Sequence, residues 1–232
     1  MRHIVKGREP RALREHRSKT HSRYDHFGKD VLHDALVKDQ GYLCAYCMQR
    51  IHPDADHMKI DHWKAQSLHR DQELDWRNML GVCKGGEGKA HRLQHCDSFR
   101  GNRALVINPQ DHPEKYLSYT NQGEIRATRP VIQNDIDNAL NLNLETLRRS
   151  RRQAWDAVHK GLERAGDQAF TLAALQRKIQ NLKQKDGAGR YRPFCEVMIY
   201  FLEKKRRQQE SPAQHSRAAA TAQKSRGKGK RT

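Results

Sequence analysis

A chain of 232 residues with 35% hydrophobic and 31% charged residues cannot build a large apolar core; it suits one ordinary domain with appendages, or two small ones held by a staple such as a bound metal. The 45 Lys and Arg against 27 Asp and Glu leave a formal charge of +18, which points to DNA or RNA as partner, the plain alternative being a solvated basic surface. No apolar run reaches the about eighteen residues of a membrane span, and the opening MRHIVKGREPRALREHR lacks the apolar stretch of a secretory signal, so a cytoplasmic protein is expected.

In chain order, residues 1 to about 30 are basic and poorly periodic, and predict an arm or a lid. The segment DVLHDALVKDQ at 30–40 places Val31, Leu32, Leu36 and Val37 on one helical face, with Gly41 as its stop; arm and helix make a first unit, 1–41. A cysteine-rich unit follows at 42–125, with a glycine loop at Gly85, Gly86 and Gly88 and a second loop HPDADH, the texture of short strands and irregular loops around metal. From Val131 the spacing turns helical. Ile132, Ile136, Leu140, Leu144, Leu147, Ala154, Val158 and Leu162 form one stripe that Gly166 breaks. Leu172, Leu175, Ile179 and Leu182 form a second, ended by DGAGRYRP, and Phe194, Val197, Met198, Phe201 and Leu202 a third. These three helices define a region at 130–207 whose stripes are core. The run RRSRRQ at 148–153 reads as a solvated helix face, with phosphate contact as the alternative. The remainder, 208–232, is rich in Ser, Ala, Gln, Lys and Arg and predicts a disordered basic tail.

Five cysteines in a chain without a visible secretory signal read as a metal site rather than as disulfides. Cys44 and Cys47 form a C-x2-C pair, and Cys83 and Cys96 complete four ligands for a structural zinc, with His91 and His95 as nearby alternatives. Cys195, inside PFCEVMIYF, reads as a core thiol.

Between the thiols lies MKIDHWKAQS. Adjacent residues on a strand point to opposite faces, but at a strand end Asp61 and His62 can still reach one metal–water centre. Asp61 suits a hard divalent cation, magnesium or manganese, and a neutral His62 can take a proton from the attacking water. Asn78, in DWRNMLGVC, can hold the histidine's strand or orient its ring. Asp97 follows Cys96 directly, so zinc ligation would fix its direction and make it the second carboxylate; a helix from Ser98 to Arg103 would present Arg100 and Arg103 to phosphate. Singly these signals are weak. In this order, between zinc ligands, they describe phosphodiester hydrolysis.

GYLCAYCMQRI, IDHWKAQS, DWRNMLGVC and HCDSFRG together resemble the HNH, or ββα-metal, endonucleases, and within them the HNH nucleases of retron systems and the PtuB subunits of Septu systems. The resemblance covers roughly residues 1–125, including GREPRAL. It implies an α+β, zinc-stapled ββα-metal HNH core with a C-terminal three-helix region, His62 as general base, Asp61 as metal ligand and Asn78 as the motif's central Asn. Position 97 commonly holds His or Asn in that superfamily; Asp here keeps metal binding but leaves Asp97 and His95 as alternatives for the second ligand. The resemblance further implies a bacterial anti-phage effector working beside an ABC/SMC-type, PtuA-like ATPase and, in retron settings, a reverse transcriptase with its DNA–RNA product. The three helices would then dock that ATPase or simply cap the core. Two other readings stand beside this one: a non-catalytic zinc module that binds nucleic acid, and an HNH nuclease of repair or mobile elements.

Overall fold

The computed structural model describes residues 1–210. It is a mixed α and β structure with two small antiparallel sheets, and its buried apolar residues form one cluster that runs from Met1 to Leu202. The first sheet pairs β1 (Met58–His62) with β2 (Met79–Cys83), His62 opposite Met79 and Met58 opposite Cys83. A short helix, α3 (Asp97–Arg100), follows; it covers four residues, so the expected helix to Arg103 ends early, at Gly101. The second sheet pairs β3 (Leu117–Tyr119) with β4 (Ile125–Ala127).

The N-terminal segment is neither a free arm nor a lid. Met1, Ile4 and Leu13 are buried, the last on α1 (Arg11–Arg17). The Ile4 amide donates to the Pro109 carbonyl at 2.8 Å and the Gly7 amide to Asp39 Oδ2 at 2.8 Å. Lys6 lies with its ammonium 3.5 Å from the centre of the Trp76 ring and donates to the Met79 carbonyl at 2.9 Å. The few apolar residues of this stretch are spaced too irregularly to show a face, yet Met1, Ile4 and Leu13 each fill a slot in the core, while Val5 stays exposed.

α2 (Asp30–Asp39) buries Leu32, Leu36 and Val37 as its spacing requires, together with His33, while Val31 stays exposed. Gly41 ends it with φ +58°, and a Cβ there would stand 2.3 Å from the Tyr191 ring, so both the backbone conformation and the close approach call for glycine. Gln40 is buried just beyond the helix. Its Nε2 donates to the carbonyls of Leu43 at 2.8 Å and Gly81 at 2.7 Å, and its Oε1 accepts from the Gly81 amide at 2.7 Å, which ties the end of α2 to β2.

The long helical stripe from Ile132 to Leu162 is two helices, not one. α4 (Pro130–Asn134) widens into a π turn at Asp135–Ala139, and the chain turns at Asn141, φ +48°, before α5 (Glu145–Arg164). The cause is polar. Buried Asp135 accepts from the amides of Val106 at 2.7 Å and Ile107 at 2.8 Å, and the Leu140 carbonyl accepts from the Cys96 amide at 2.8 Å, so this segment closes over the cysteine region instead of continuing its axis. The apolar residues on either side face the same core and keep a helical rhythm across the break. In the run at 148–153, Arg151 is turned fully inward, donating to the carbonyls of Gly123 at 2.6 Å and Leu142 at 2.7 Å; that position is neither solvated nor free for phosphate.

α6 (Leu172–Lys183) buries Leu175, Ile179 and Leu182. The last helix, α7 (195–210), buries Cys195, Val197, Met198, Phe201 and Leu202 and runs past the expected start of the tail at 208; residues 211–232 lie outside the described residues. The approach to α7 is bound to the cysteine region. The Tyr191 amide donates to Gly41 at 3.0 Å, the Phe194 amide to Met48 at 3.3 Å, and Arg50 Nη2 to the Tyr191 carbonyl at 2.6 Å. Among the described residues no helix is long and apolar enough to cross a membrane.

Candidate active site

The four cysteines converge. Cys44, Cys47, Cys83 and Cys96 are buried, and their sulfurs all lie within 4.8 Å of one another. Three elements bring them together: the tight turn that carries Cys44 and Cys47, closed by Cys44 N–H donating to Gln49 O at 2.9 Å; the last residue of β2, Cys83; and the residue before α3, Cys96, whose φ is +57°. Gly85 makes this possible. Its Cβ would fall 2.0 Å from the His95 carbonyl, so only glycine lets the loop after β2 return against the chain that delivers Cys96. A tetrahedral zinc with Zn–S bonds of about 2.3 Å needs sulfurs about 3.8 Å apart. The separations are 3.6 Å for Cys47–Cys83, 3.8 Å for Cys44–Cys96 and 3.8 Å for Cys83–Cys96, so the donor set fits one zinc ion. Burial pushes the Cys47 and Cys96 thiols well up, while hydrogen bonds from its neighbours draw Cys83 well down.

His95 belongs to this cluster. Its Nδ1 lies 3.2 Å from Cys96 Sγ and 4.0 Å from Cys83 Sγ, so it is placed to hydrogen-bond the sulfurs. His91 stacks on Phe99 at 4.4 Å and takes no part in the thiol group.

Asp61 and His62 end β1 and leave it on opposite faces. Asp61 shares a face with Lys59 and looks onto α3. Its Oδ2 accepts from the Tyr46 hydroxyl at 2.5 Å and from Arg100 Nη1 at 2.8 Å. Burial pushes the Asp61 carboxyl up to about 7 against the pull of Arg100. Asp97, at the start of α3, holds its Oδ2 2.7 Å from Lys59 Nζ. Each carboxylate thus has one oxygen matched to a cation of the protein. The other, Oδ1, has no hydrogen-bond partner in either residue and is not fully enclosed, the side chains being 7% exposed for Asp61 and 19% for Asp97. Asp97 also acts through space on both Asp61 and His62. Carboxylate oxygens are the hard donors that magnesium or manganese accepts.

His62 is buried against the Tyr24 ring, edge to face at 4.6 Å, and its Nε2 lies 2.9 Å from the Glu73 carbonyl. A carbonyl only accepts, so Nε2 carries the proton and Nδ1 the lone pair. Nδ1 has no protein partner and is not enclosed. Burial holds the ring below its ordinary range, which keeps it neutral near pH 7.

Asn78 is fully used. Its Oδ1 accepts from the Lys64 amide at 2.7 Å, and its Nδ2 donates to the carbonyls of Lys64 at 3.0 Å and Gln72 at 3.2 Å. Of the two roles open to it, the geometry selects the first: it clamps the chain just after His62 and does not touch the ring. Arg100 departs from expectation. It is among the most buried side chains of the protein, donating to the carbonyls of His62 at 3.1 Å, Trp63 at 2.5 Å and Arg103 at 2.7 Å besides Asp61, and so has no face for phosphate. Arg103 stays exposed, with one nitrogen 2.6 Å from the Asn138 carbonyl. Sequence reasoning passed over Tyr46, Lys59 and Glu73. Lys59 was available from spacing alone, two residues from Asp61 on the same strand face; the Glu73 contact, made through a backbone carbonyl, carries no side-chain signal at all.

No protein-family model matches the chain. Two curated proteins do. A protein of Escherichia coli named as the HNH endonuclease of retron Ec83 is 31% identical over 94 residues, 35% of this chain and 36% of that protein. The Septu protein PtuB of Bacillus thuringiensis is 25% identical over 96 residues, 41% of this chain and 35% of that protein. The matched stretches span about a third of either relative's length. The similarity to HNH nucleases of the retron and Septu type, read from the motifs, is therefore found again by direct comparison.

Proposed function

We propose that the chain is a metal-dependent endonuclease of the HNH type, that β1, β2 and α3 form its ββα-metal core, and that it hydrolyses nucleic-acid phosphodiesters. The observation that supports this most is the state of His62: a buried, neutral imidazole whose Nε2 is committed to the Glu73 carbonyl and whose Nδ1 has no protein partner and is not fully enclosed. That is the state a general base needs.

Asp61 and Asp97 would hold the magnesium-type cation through their free oxygens, and the ion when bound stabilises charge on the scissile phosphate. His62 Nδ1 takes the proton from the attacking water, and the hydrogen bond from Nε2 to Glu73 O stabilises the imidazolium so formed. Asn78 holds residues 63–64 and thereby the direction of the ring. Arg100 and Tyr46 fix one oxygen of Asp61, leaving the other a single orientation. The four thiols hold a structural zinc at the base of both β2 and α3, which sets the distance of Asp97 from β1.

The names of the relatives support a role in anti-phage defence. In that role the chain acts as an effector in the bacterial cytoplasm beside an ABC/SMC-type ATPase and, in a retron setting, a reverse transcriptase with its DNA–RNA product; the exposed faces of α4 to α7 are the surface for that assembly. Its substrate is DNA or RNA, a structured RNA such as tRNA included. One observation favours the second reading, a zinc module that binds nucleic acid without cutting it: Arg100 and Lys59 already neutralise the two carboxylates.

The test is cleavage of labelled DNA and RNA with magnesium or manganese, alone and with the neighbouring ATPase, comparing wild type with His62→Ala. Cutting that needs metal and disappears in the variant supports the nuclease. Metal-dependent cutting that survives the substitution sinks the role given to His62. Tight binding with no cutting in any combination favours the binding module.

A further inference from the structure

On the side of the molecule built by α6 and the loop at 184–193 lies a groove of about 950 Å³. Its floor is apolar, from Leu162, Ala165, Ala174 and Leu182, and it contains none of Asp61, His62, Asn78 or Asp97. Six cations line it: Arg50, Arg177, Lys178, Lys185, Arg190 and Arg192. One carboxylate faces them, Asp186, and its Oδ1 accepts from the amides of Ala188 and Arg190 at 2.9 Å each.

What separates this groove from a generally basic surface is concentration at a concave face: six cations stand against one carboxylate. Several other cations of the protein are matched, Arg17 with Glu9, Lys59 with Asp97, Arg100 with Asp61 and Lys183 with Glu203. Among the described residues none of the six groove cations forms an ion pair. Arg50 spends its guanidinium on the carbonyls of Gly41, Tyr42 and Tyr191, and Lys185 its ammonium on the carbonyl of Lys38 at 2.6 Å. Such bonds fix a charge in place without cancelling it. Burial, and after it the neighbouring Arg190, draws Arg50 down from its ordinary value, with Asp186 opposing them in part. Like charges held together at a concave surface raise the local potential and attract a polyanion.

We infer that this groove is a second nucleic-acid site, an exosite that takes the phosphodiester backbone of a strand away from the cleavage centre. Base stacking is not part of it. The one aromatic side chain in the lining, Tyr191, packs against Gly41 and lies under the Arg2 guanidinium at 3.9 Å, so its ring is already covered. The site therefore reads charge and not sequence. It rests on the nucleic-acid reading above but not on catalysis.

The experiment measures binding of a fluorescein-labelled 20-nucleotide DNA strand and its duplex by anisotropy, over a salt series, in the His62→Ala background of the full chain so that nothing is cut. Arg177→Glu with Lys178→Glu is the probe pair; Arg177 is exposed and Lys178 half-buried on α6, and matching thermal unfolding confirms the fold. Arg14→Glu with Arg149→Glu changes the charge equally on α1 and α5. The groove pair should weaken binding about tenfold and lower the salt slope by about 1 to 2, as loss of two phosphate contacts requires, while the control pair changes affinity less than about twofold. Equal weakening by both pairs means diffuse charge and overturns the exosite, as does no weakening by the groove pair. Failure of the catalytic assignment shows instead as absent cleavage by wild type with this binding pattern intact.

Discussion

Replacing Arg100 by Met tests the central claim about the site, that this arginine is a structural counter-ion and not a phosphate ligand. Its side chain is 0% exposed and makes hydrogen bonds to Asp61 and to three backbone carbonyls. Met fills most of the volume but donates nothing, so a buried carboxylate keeps only Tyr46 and three carbonyls lose a donor. Breaking a buried pair from one side costs about 3–5 kcal/mol, a large part of the about 5–15 kcal/mol that holds a domain together. For a chain of this size that is roughly 6–20 °C in Tm. Because the penalty is that of the orphaned charge, Arg100→Met combined with Asp61→Asn should recover part of the loss. The sign with pH follows. An Asp61 already raised to about 7 rises further without Arg100, so the carboxyl is neutral and cheap to bury at pH 5 and charged and costly at pH 8; the deficit of the single variant should grow as pH rises. Urea unfolding at fixed zinc, at both pH values, measures all three quantities. A single variant within about 1 kcal/mol of wild type, or a double variant no better than the single, refutes the reasoning.

Purified protein should carry one zinc per chain by elemental analysis, and Cys47→Ser should lose both the metal and cooperative unfolding; a stable, metal-free variant would remove the structural site. Asn78→Ala deletes three hydrogen bonds around residues 64 and 72 and should destabilise by about 1–3 kcal/mol, with the Lys64 amide exchanging hydrogen faster than in wild type; unchanged exchange at Lys64 contradicts the clamp. His33 is buried with its Nδ1 unpartnered, and burial lowers its pKa below 6.5. The unfolded chain therefore binds the proton first, and the stability this group supplies is present above pH 6.5 and lost as pH falls through its folded value. His33→Gln should flatten the dependence of Tm on pH between 5 and 7, and equal slopes in the two proteins would reject the assignment.

By itself the sequence determined which thiols gather. Those at 44, 47, 83 and 96 are soft ligands in a pattern with few other uses, and their convergence was legible from residue type and spacing; Asp61-His62, Asn78 and Asp97, threaded between them, are the reacting groups of the proposed function. Helices α2, α6 and α7 were legible too, because a helix that buries one face repeats its apolar residues at a fixed interval. Contacts between distant segments leave no such period. The seating of Met1 and Ile4 in the core, the break between α4 and α5 set by Asp135 and the Leu140 carbonyl, and the inward turn of Arg151 each depend on partners far along the chain. Arg100 shows the limit most clearly. On a four-residue helix after a cysteine it looks like a cation for solvent, and only the packing of α3 on the Asp61 face of β1 decides that it is buried. Tertiary structure likewise decided which atom of His62 is free, because the group that commits the other is the backbone carbonyl of Glu73, and every residue has one of those.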